Sequence, residues 1–153
     1  MGGSSVEVYY DQLTNNLISG NNVAGVNITT IYPRIFRHNE HSVIRNHVYS
    51  DASTSTLANL EALTWSVKIG ARGETALITN SNSASFNLTA DWAAANVSAG
   101  AICFSINTAG SAIDTALGTT DSKQYSCHIM GQDSVGDDRT VAQYQVTIVN
   151  TPD

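Results

Sequence analysis

The sequence predicts an all-β fold: an antiparallel β-sandwich, immunoglobulin-like or jelly-roll-like, with an irregular N-terminal region. Three observations support this prediction. Residues 60–150 contain short segments in which apolar and polar residues alternate, the pattern of half-buried strands. Turn-forming residues separate these segments, and helix-favouring stretches are few. The chain is rich in Ser, Thr, Asn and Gly, and only 13% of its residues are charged, against about 25% in soluble domains.

The clearest strand spans Leu63–Ile69, where Leu63, Trp65, Val67 and Ile69 share one face. The further strands predicted in this region are Ala76–Thr79, Ala84–Leu88, Ala101–Ile106, Tyr125–Ile129 and Val141–Val149. Short helical turns are predicted at Thr89–Asn96, which includes Trp92, and at Ala112–Leu117. Residues 133–138 are predicted to form a hairpin loop. The alternation predicts one solvent-exposed face on each sheet.

The first part of the chain is less regular, so we divide it into residues 1–58, an arm with extra strands, and residues 59–153, the sandwich. Strands are predicted near Val6–Tyr10, over Val26–Thr30 and over Val43–Tyr49, and Pro33 indicates a sheet edge or strand end. Large apolar residues are too few here for a separate core. The region therefore either adds strands to the sandwich or reaches across to a neighbouring subunit.

Length and charge exclude several classes of protein. A chain of 153 residues fits one domain. The net charge of −6 and the seven scattered Lys and Arg residues argue against nucleic-acid binding. We find no apolar run long enough for a membrane helix and expect no signal peptide. Cys103 and Cys127 could form at most one disulfide, and whether they pair is left open.

No catalytic constellation is present in the sequence, and we expect neither an enzyme nor a cofactor. The nucleophile elbow G-x-S-x-G is missing. Cys127 and His128 are neighbours on a predicted strand and would point to opposite faces, so they cannot act together. The polar segment Arg37–His41 contains metal-ligand types, and His38, His41 and His47 are its candidate ligands. Their spacing does not match a helical H-E-x-x-H site, so we expect a solvated or inter-subunit polar segment, with histidines stacked at a symmetry axis as an open variant.

Several segments together suggest a family. They are Leu63–Gly70, the Phe86 to Trp92 stretch, Gly100–Ile106, Tyr125–Ile129 with the acidic hairpin after it, and Gln143–Asn150. This arrangement resembles β-sandwich domains of tailed-bacteriophage virion proteins, of the capsid decoration, head-fibre or baseplate-adaptor type. The resemblance covers just over half of the chain, and residues 1–58 do not share it. It implies a mechanical role in the virion and brings no catalytic residues.

The resemblance leads to two functional hypotheses. The first is a capsid decoration (cement) protein, assembled in the host cytoplasm, that binds the major capsid protein or other virion proteins in many copies, as a homo-oligomer with a trimer favoured. Its partner contacts are predicted to come from the N-terminal region through strand addition at an open edge, at Val6, Val8, Tyr9, Tyr10, Ile28, Ile31, Tyr32, Ile35 and Phe36. The second is a carbohydrate- or receptor-binding module of a tail, which predicts exposed aromatic residues in a concave face.

Overall fold

The computed structural model describes residues 5–19, 32–39, 42–60, 64–80 and 97–152. The strands in these ranges are β1 (Ser5–Asp11), β2 (Asn16–Ile18), β3 (Arg34–Phe36), β4 (Ser42–Asp51), β5 (Thr56–Leu57), β6 (Thr64–Gly70), β7 (Ile78–Asn80), β8 (Ala101–Ile106), β9 (Ser122–Gln132) and β10 (Asp138–Val149). They are joined by one helix, α1 (Ser111–Leu117), and by 3₁₀ turns at Ala52–Thr54 and Val97–Ala99. Two sheets pack together, which confirms the all-β sandwich.

Each sheet contains one parallel pair of strands. In sheet A, β4 is central, with β1 and then β2 on one side and β8 and β5 on the other. Sheet B has the order β3-β10-β9-β6-β7. Most neighbours are antiparallel as predicted, but β1 runs parallel to β4 and β3 runs parallel to β10. Side chains alternate with a period of two in both kinds of pairing, so the sequence pattern does not reveal strand direction.

Strands from the first 58 residues belong to both sheets. One hydrophobic cluster takes side chains from both predicted regions, including Tyr10 and Ile44 from the first and Phe104 and Val146 from the second. Of the two alternatives for the N-terminal region, its described strands therefore follow the first, because they complete the sandwich. The boundary near residue 58 does not separate two cores.

A buried polar contact joins the sheets. The Tyr144 hydroxyl on β10 donates to Asn46 Oδ1 on β4 at 2.6 Å, and both residues are buried. Burial raises the pKa of Tyr144 well above its usual value, so the hydroxyl keeps its proton and remains a donor. The hydroxyl donor and the amide acceptor thus satisfy each other's hydrogen-bonding capacity inside the protein.

Sheet B has the predicted exposed face, where Gln143 and Gln145 point to solvent. Sheet A has it only in part. Ser5 and Glu7 on its outer face are exposed, but Val43, Tyr49 and Cys103 on the same face are only 8%, 7% and 0% exposed. The prediction of one wet face per sheet is confirmed for sheet B and holds for sheet A only along the start of β1. A strand whose outer face is also buried carries apolar residues on both faces. β8 has this pattern.

The predicted elements match closely where the structure describes them. The predicted strand Ala101–Ile106 is β8, and the predicted turn at Ala112–Leu117 is α1. The strands predicted at Val26–Thr30 and Ala84–Leu88, and the helical turn at Thr89–Asn96 with Trp92, lie outside the described residues. Across the described ranges, no helix combines the length and apolar character that crossing a bilayer requires.

Arg37 holds the end of β3 in place. Its Nε lies 2.7 Å from Asp114 Oδ1 on α1, and its Nη1 donates to Asn150 Oδ1 at 2.6 Å. Only 8% of Arg37 is exposed. The side chain predicted to be solvated or at a subunit contact is therefore an internal tie between β3, α1 and the chain after β10.

Candidate functional site

The first half of β1 has a strand neighbour on one side only within the described residues. Ser5 to Asp11 pair with β4 on one side, whereas β2 pairs only with Tyr9 to Asp11 on the other. Among the described strands, the backbone N–H and C=O groups beside Ser5–Val8 therefore lie at a strand edge. Such an edge is a template for pairing with another extended segment.

A groove runs along this edge. It has a volume of about 550 Å³ and lies between β1 and β2 of sheet A and the chain leading into β3 of sheet B. Its lining is mostly apolar and consists of Val6, Glu7, Val8, Tyr9, Leu17, Ile18, Ser19, Tyr32, Pro33 and Arg34. β3 is itself an edge strand, because β10 is its only strand partner in the described part of the chain. The groove therefore combines apolar side chains with two strand edges.

The structure divides the predicted partner-binding residues into three groups. Val8, Tyr10 and Ile35 belong to the main core and are at most 2% exposed, so they present almost no side-chain surface to a partner, although Val8 does border the groove. The pairing of β1 with β4 turns Val8 and Tyr10 inward, and the pairing of β3 with β10 does the same for Ile35.

The remaining predicted residues keep some accessible surface or fall outside the description. Val6 and Tyr32 are half-buried against the core at the groove. Tyr9 is half-buried on the outer face of sheet A, and Phe36 is 43% exposed on β3. Ile28 and Ile31 lie outside the described residues.

Tyr9 stacks on His47 across the parallel pair β1–β4. Their ring centroids are 4.2 Å apart and the ring planes differ by 4°. His47 Nε2 also lies 3.7 Å from Glu7 Oε1. Burial lowers the pKa of His47, while the nearby Glu7 carboxylate opposes that shift. The stack holds the Tyr9 ring in place on the outer face of sheet A, next to the groove.

The candidate metal-ligating histidines occupy different settings. His38 is exposed in the turn after β3, with a φ of 72°, and His47 is held on β4 by Tyr9 and Glu7. His41 lies outside the described residues. Among the residues that the structure describes, no three His, Cys, Asp or Glu side chains converge on one point.

Both cysteines are buried, and no disulfide joins them. Cys103 lies on β8 in sheet A and Cys127 on β9 in sheet B, so their strands do not pair. Burial raises the pKa of Cys127 to about 12. Its thiol is therefore protonated at neutral pH and does not supply a thiolate nucleophile. His128 projects from the opposite face of β9 and makes a contact of 2.9 Å with Thr140 Oγ1.

A second concave surface lies on the outer face of sheet B. Strand pairing places Gln143, His128, Lys68 and Thr79 in one row across β10, β9, β6 and β7. The next row contains Gln145 and Ser126 and ends at Gly70. The lack of a side chain at Gly70 lets residues 71–76 fold close over it, since a Cβ there would lie 2.9 Å from Ala76 Cα.

The 71–76 segment bounds two cavities on this face, which together we call the sheet B cleft. One has a volume of about 510 Å³, and its polar lining comes from Lys68, Arg72, Glu74, Thr75, Thr79, Ser126, His128 and Gln143. The other has a volume of about 680 Å³ and shares Arg72, Ser126 and Gln143 with the first. It also reaches Gln124 and Gln145. The cleft thus brings amide, hydroxyl and cationic groups together with small apolar residues such as Ala71 and Ala76.

Sequence reasoning missed this cleft. The alternation on β10 places Gln143, Gln145 and Thr147 on the outer face, and that signal is present in the sequence. Their grouping with Lys68 and Arg72 depends on the strand order β10-β9-β6, which alternation alone does not give. The aromatic platform expected for a sugar site is not present in the described part of the cleft, where Tyr125 and Tyr144 border the cavity but are buried.

No protein-family model matches this sequence, and no curated protein matches it. The functional conclusion therefore depends on the groove, the sheet B cleft and the composition of the chain.

Proposed function

We propose that this chain is a non-enzymatic structural protein of a tailed-bacteriophage virion, and specifically a capsid decoration protein. In this proposal it binds the major capsid protein in many copies after assembly in the host cytoplasm, and it forms a homo-oligomer, with a trimer favoured. It binds neither nucleic acid nor membrane. The single observation that supports it best is the apolar groove between the edges of β1 and β3.

The groove suits an extended apolar segment of the capsid shell. A strand laid beside Ser5–Val8 would gain backbone hydrogen bonds from the edge, while its alternate side chains would contact Val6 and Tyr32. In the described part of the lining, one acid and one base, Glu7 and Arg34, offset each other and leave that surface nearly neutral. Modest contacts of this kind become strong when many copies bind one particle.

The exposed face of β3 allows a test that spares the core. Arg34 and Phe36 are exposed on either side of the buried Ile35. We expect the double variant Arg34→Asp, Phe36→Asp to keep the thermal midpoint of the parent protein and to reduce co-sedimentation with capsids about tenfold or more, because it places charge beside a desolvated contact. Deleting residues 1–35 is a poorer test, since it removes the core strand β1.

The matched control is Val135→Asp, at the tip of the β9–β10 hairpin, where Val135 is 79% exposed. This variant should decorate capsids as well as the parent protein. Full occupancy by the β3 variant, or co-sedimentation of the parent protein with tails rather than capsids, would contradict the decoration role.

The second candidate function is a carbohydrate- or receptor-binding module of a tail. The observation that favours it is the sheet B cleft, whose amide and hydroxyl groups are suited to a polyhydroxylated ligand. Binding of the isolated protein to a glycan array, lost on Gln143→Ala, would support this candidate. An array without any bound glycan would exclude it.

A further inference from the structure

The sheet B cleft concentrates positive charge in an acidic protein. The chain has seven Lys and Arg residues and a net charge of −6, yet Lys68 and Arg72 line the same 510 Å³ cavity. Both are exposed. Glu74 also lines this cavity, so its described lining carries two cations against one carboxylate. That excess of positive charge favours an anionic partner.

These two cations differ from most of the others in the chain. Arg37 and Arg139 form ion pairs with Asp114 and Asp133, and Lys123 donates to a backbone carbonyl at 2.6 Å. By contrast, neither Lys68 nor Arg72 has a hydrogen-bond or ion-pair partner within the ranges that the structure describes. Their donors are therefore available to a ligand.

Further hydrogen-bonding side chains line the cavity together with the cations. Ser126, His128 and Gln143 line the cavity from β9 and β10, and Thr79 lines it from β7. Gln143 Nε2 and Ser126 Oγ are 3.4 Å apart, a long contact that leaves both groups able to bind a hydroxyl. The cleft thus offers two cationic side chains together with several further hydrogen-bond donors and acceptors.

We propose that the sheet B cleft binds an acidic saccharide, a polyhydroxylated ligand that carries a carboxylate. Lys68 and Arg72 hold the carboxylate, and Ser126, His128 and Gln143 bind the sugar hydroxyls. The inference builds on the second candidate function and holds for either location in the virion. A polyphosphate backbone fits less well, because two cations offset by Glu74 cannot balance many charges.

The test is calorimetric titration of the full chain at low salt with three probes: a galacturonate trisaccharide, the galactose trisaccharide of the same linkage, and inorganic phosphate. We expect the galacturonate trisaccharide to bind at least about tenfold more tightly than the other two. Both Arg72→Gln and Lys68→Gln should weaken that binding about tenfold. Glu74→Gln should strengthen it about two- to fivefold, because it removes a like charge from the cavity.

The matched control is Lys123→Gln, which makes the same charge change on β9 outside the cavity lining and should bind as the parent protein does. Equal affinity for the galactose trisaccharide would overturn the acidic preference but leave a carbohydrate-binding module. Phosphate binding as tight as that of galacturonate, an equal loss in Lys123→Gln, or no binding of any probe would overturn the site itself. Equal thermal midpoints of all variants would show that the fold is unchanged.

Discussion

The contact between Tyr144 and Asn46 is a buried polar link between the two sheets. Each residue comes from a strand with neighbours on both sides, and each lies among apolar neighbours. A polar atom left unpaired in such surroundings is costly, so the contact favours one packing of sheet A on sheet B over packings that separate the pair.

Tyr144→Phe should therefore destabilise the protein by about 1–3 kcal/mol, because Asn46 Oδ1 would remain buried without its donor. The measurement is the free energy of unfolding from chemical denaturation. Tyr125→Phe is the control: Tyr125 is also buried, but its hydroxyl makes no hydrogen bond within the described ranges, so the loss should be about 0.5 kcal/mol or less. Equal losses in both variants would show that the Asn46 contact contributes nothing.

Gly100 sets how closely the start of β8 approaches β4. Its φ is +71°, its carbonyl accepts from Val48 N at 2.8 Å, and a Cβ would collide with the Val48 carbonyl oxygen. Only glycine meets both requirements. The start of β8 and the middle of β4 can therefore lie in register at this point.

Gly100→Ala should lower the free energy of unfolding by about 2–5 kcal/mol, the sum of the left-handed backbone cost and the overpacking cost. Gly73→Ala isolates the first cost, since Gly73 has a φ of +81° with open space around it; its loss should be about 1–2 kcal/mol. If the two variants were equally stable, the close approach at Val48 would be unimportant. Failure of Gly100→Ala alone to fold would be the stronger form of the expected result.

The elements that the sequence predicts best are those whose own residues determine their form. β8 and α1 are of this kind, because alternation at Ile102, Phe104 and Ile106 defines the strand and the short Ala-containing run defines the helix. Strand direction and neighbours are different, since they depend on residues far away in the chain. The parallel pairs β1–β4 and β3–β10 and the burial of Cys103 on the outer face of sheet A therefore could not be predicted.

The same distinction applies to the candidate sites. Val6 and Tyr32 keep partial exposure and line the groove. Val8, Tyr10 and Ile35 carry the same apolar signal but are buried in the core. The sequence alone does not indicate whether an apolar residue on a strand packs against its own chain or against another protein. That depends on which strands pair and pack in the fold.

For the whole molecule, His47 links stability to pH. Burial lowers its pKa below the usual 6.5, so the unfolded chain binds a proton that the folded chain resists. The stabilisation that this gives is complete above pH 6.5 and is lost as pH falls toward the folded pKa. Acidification from pH 7.5 to 5.5 should therefore lower the free energy of unfolding.

We expect His47→Phe, which retains a ring against Tyr9, to show a smaller loss of stability over the same pH interval. Glu7→Gln should show a larger loss than the parent protein, because the Glu7 carboxylate raises the pKa of His47. The comparison uses the difference in unfolding free energy between pH 7.5 and 5.5 for the three proteins. An identical pH dependence in all three would exclude His47 as the responsible group.

The position of β10 also determines when sheet B can form during synthesis. β10 spans residues 138–149 but lies inside sheet B, between β9 and β3, and its partner β3 was made more than a hundred residues earlier. A ribosome must therefore release β10 before Ile35 can be covered by it. Until then the early strands are vulnerable to chaperone capture, proteolysis and mispairing between nascent chains, and a premature stop before residue 138 would leave sheet B without the strand that joins β3 to β9.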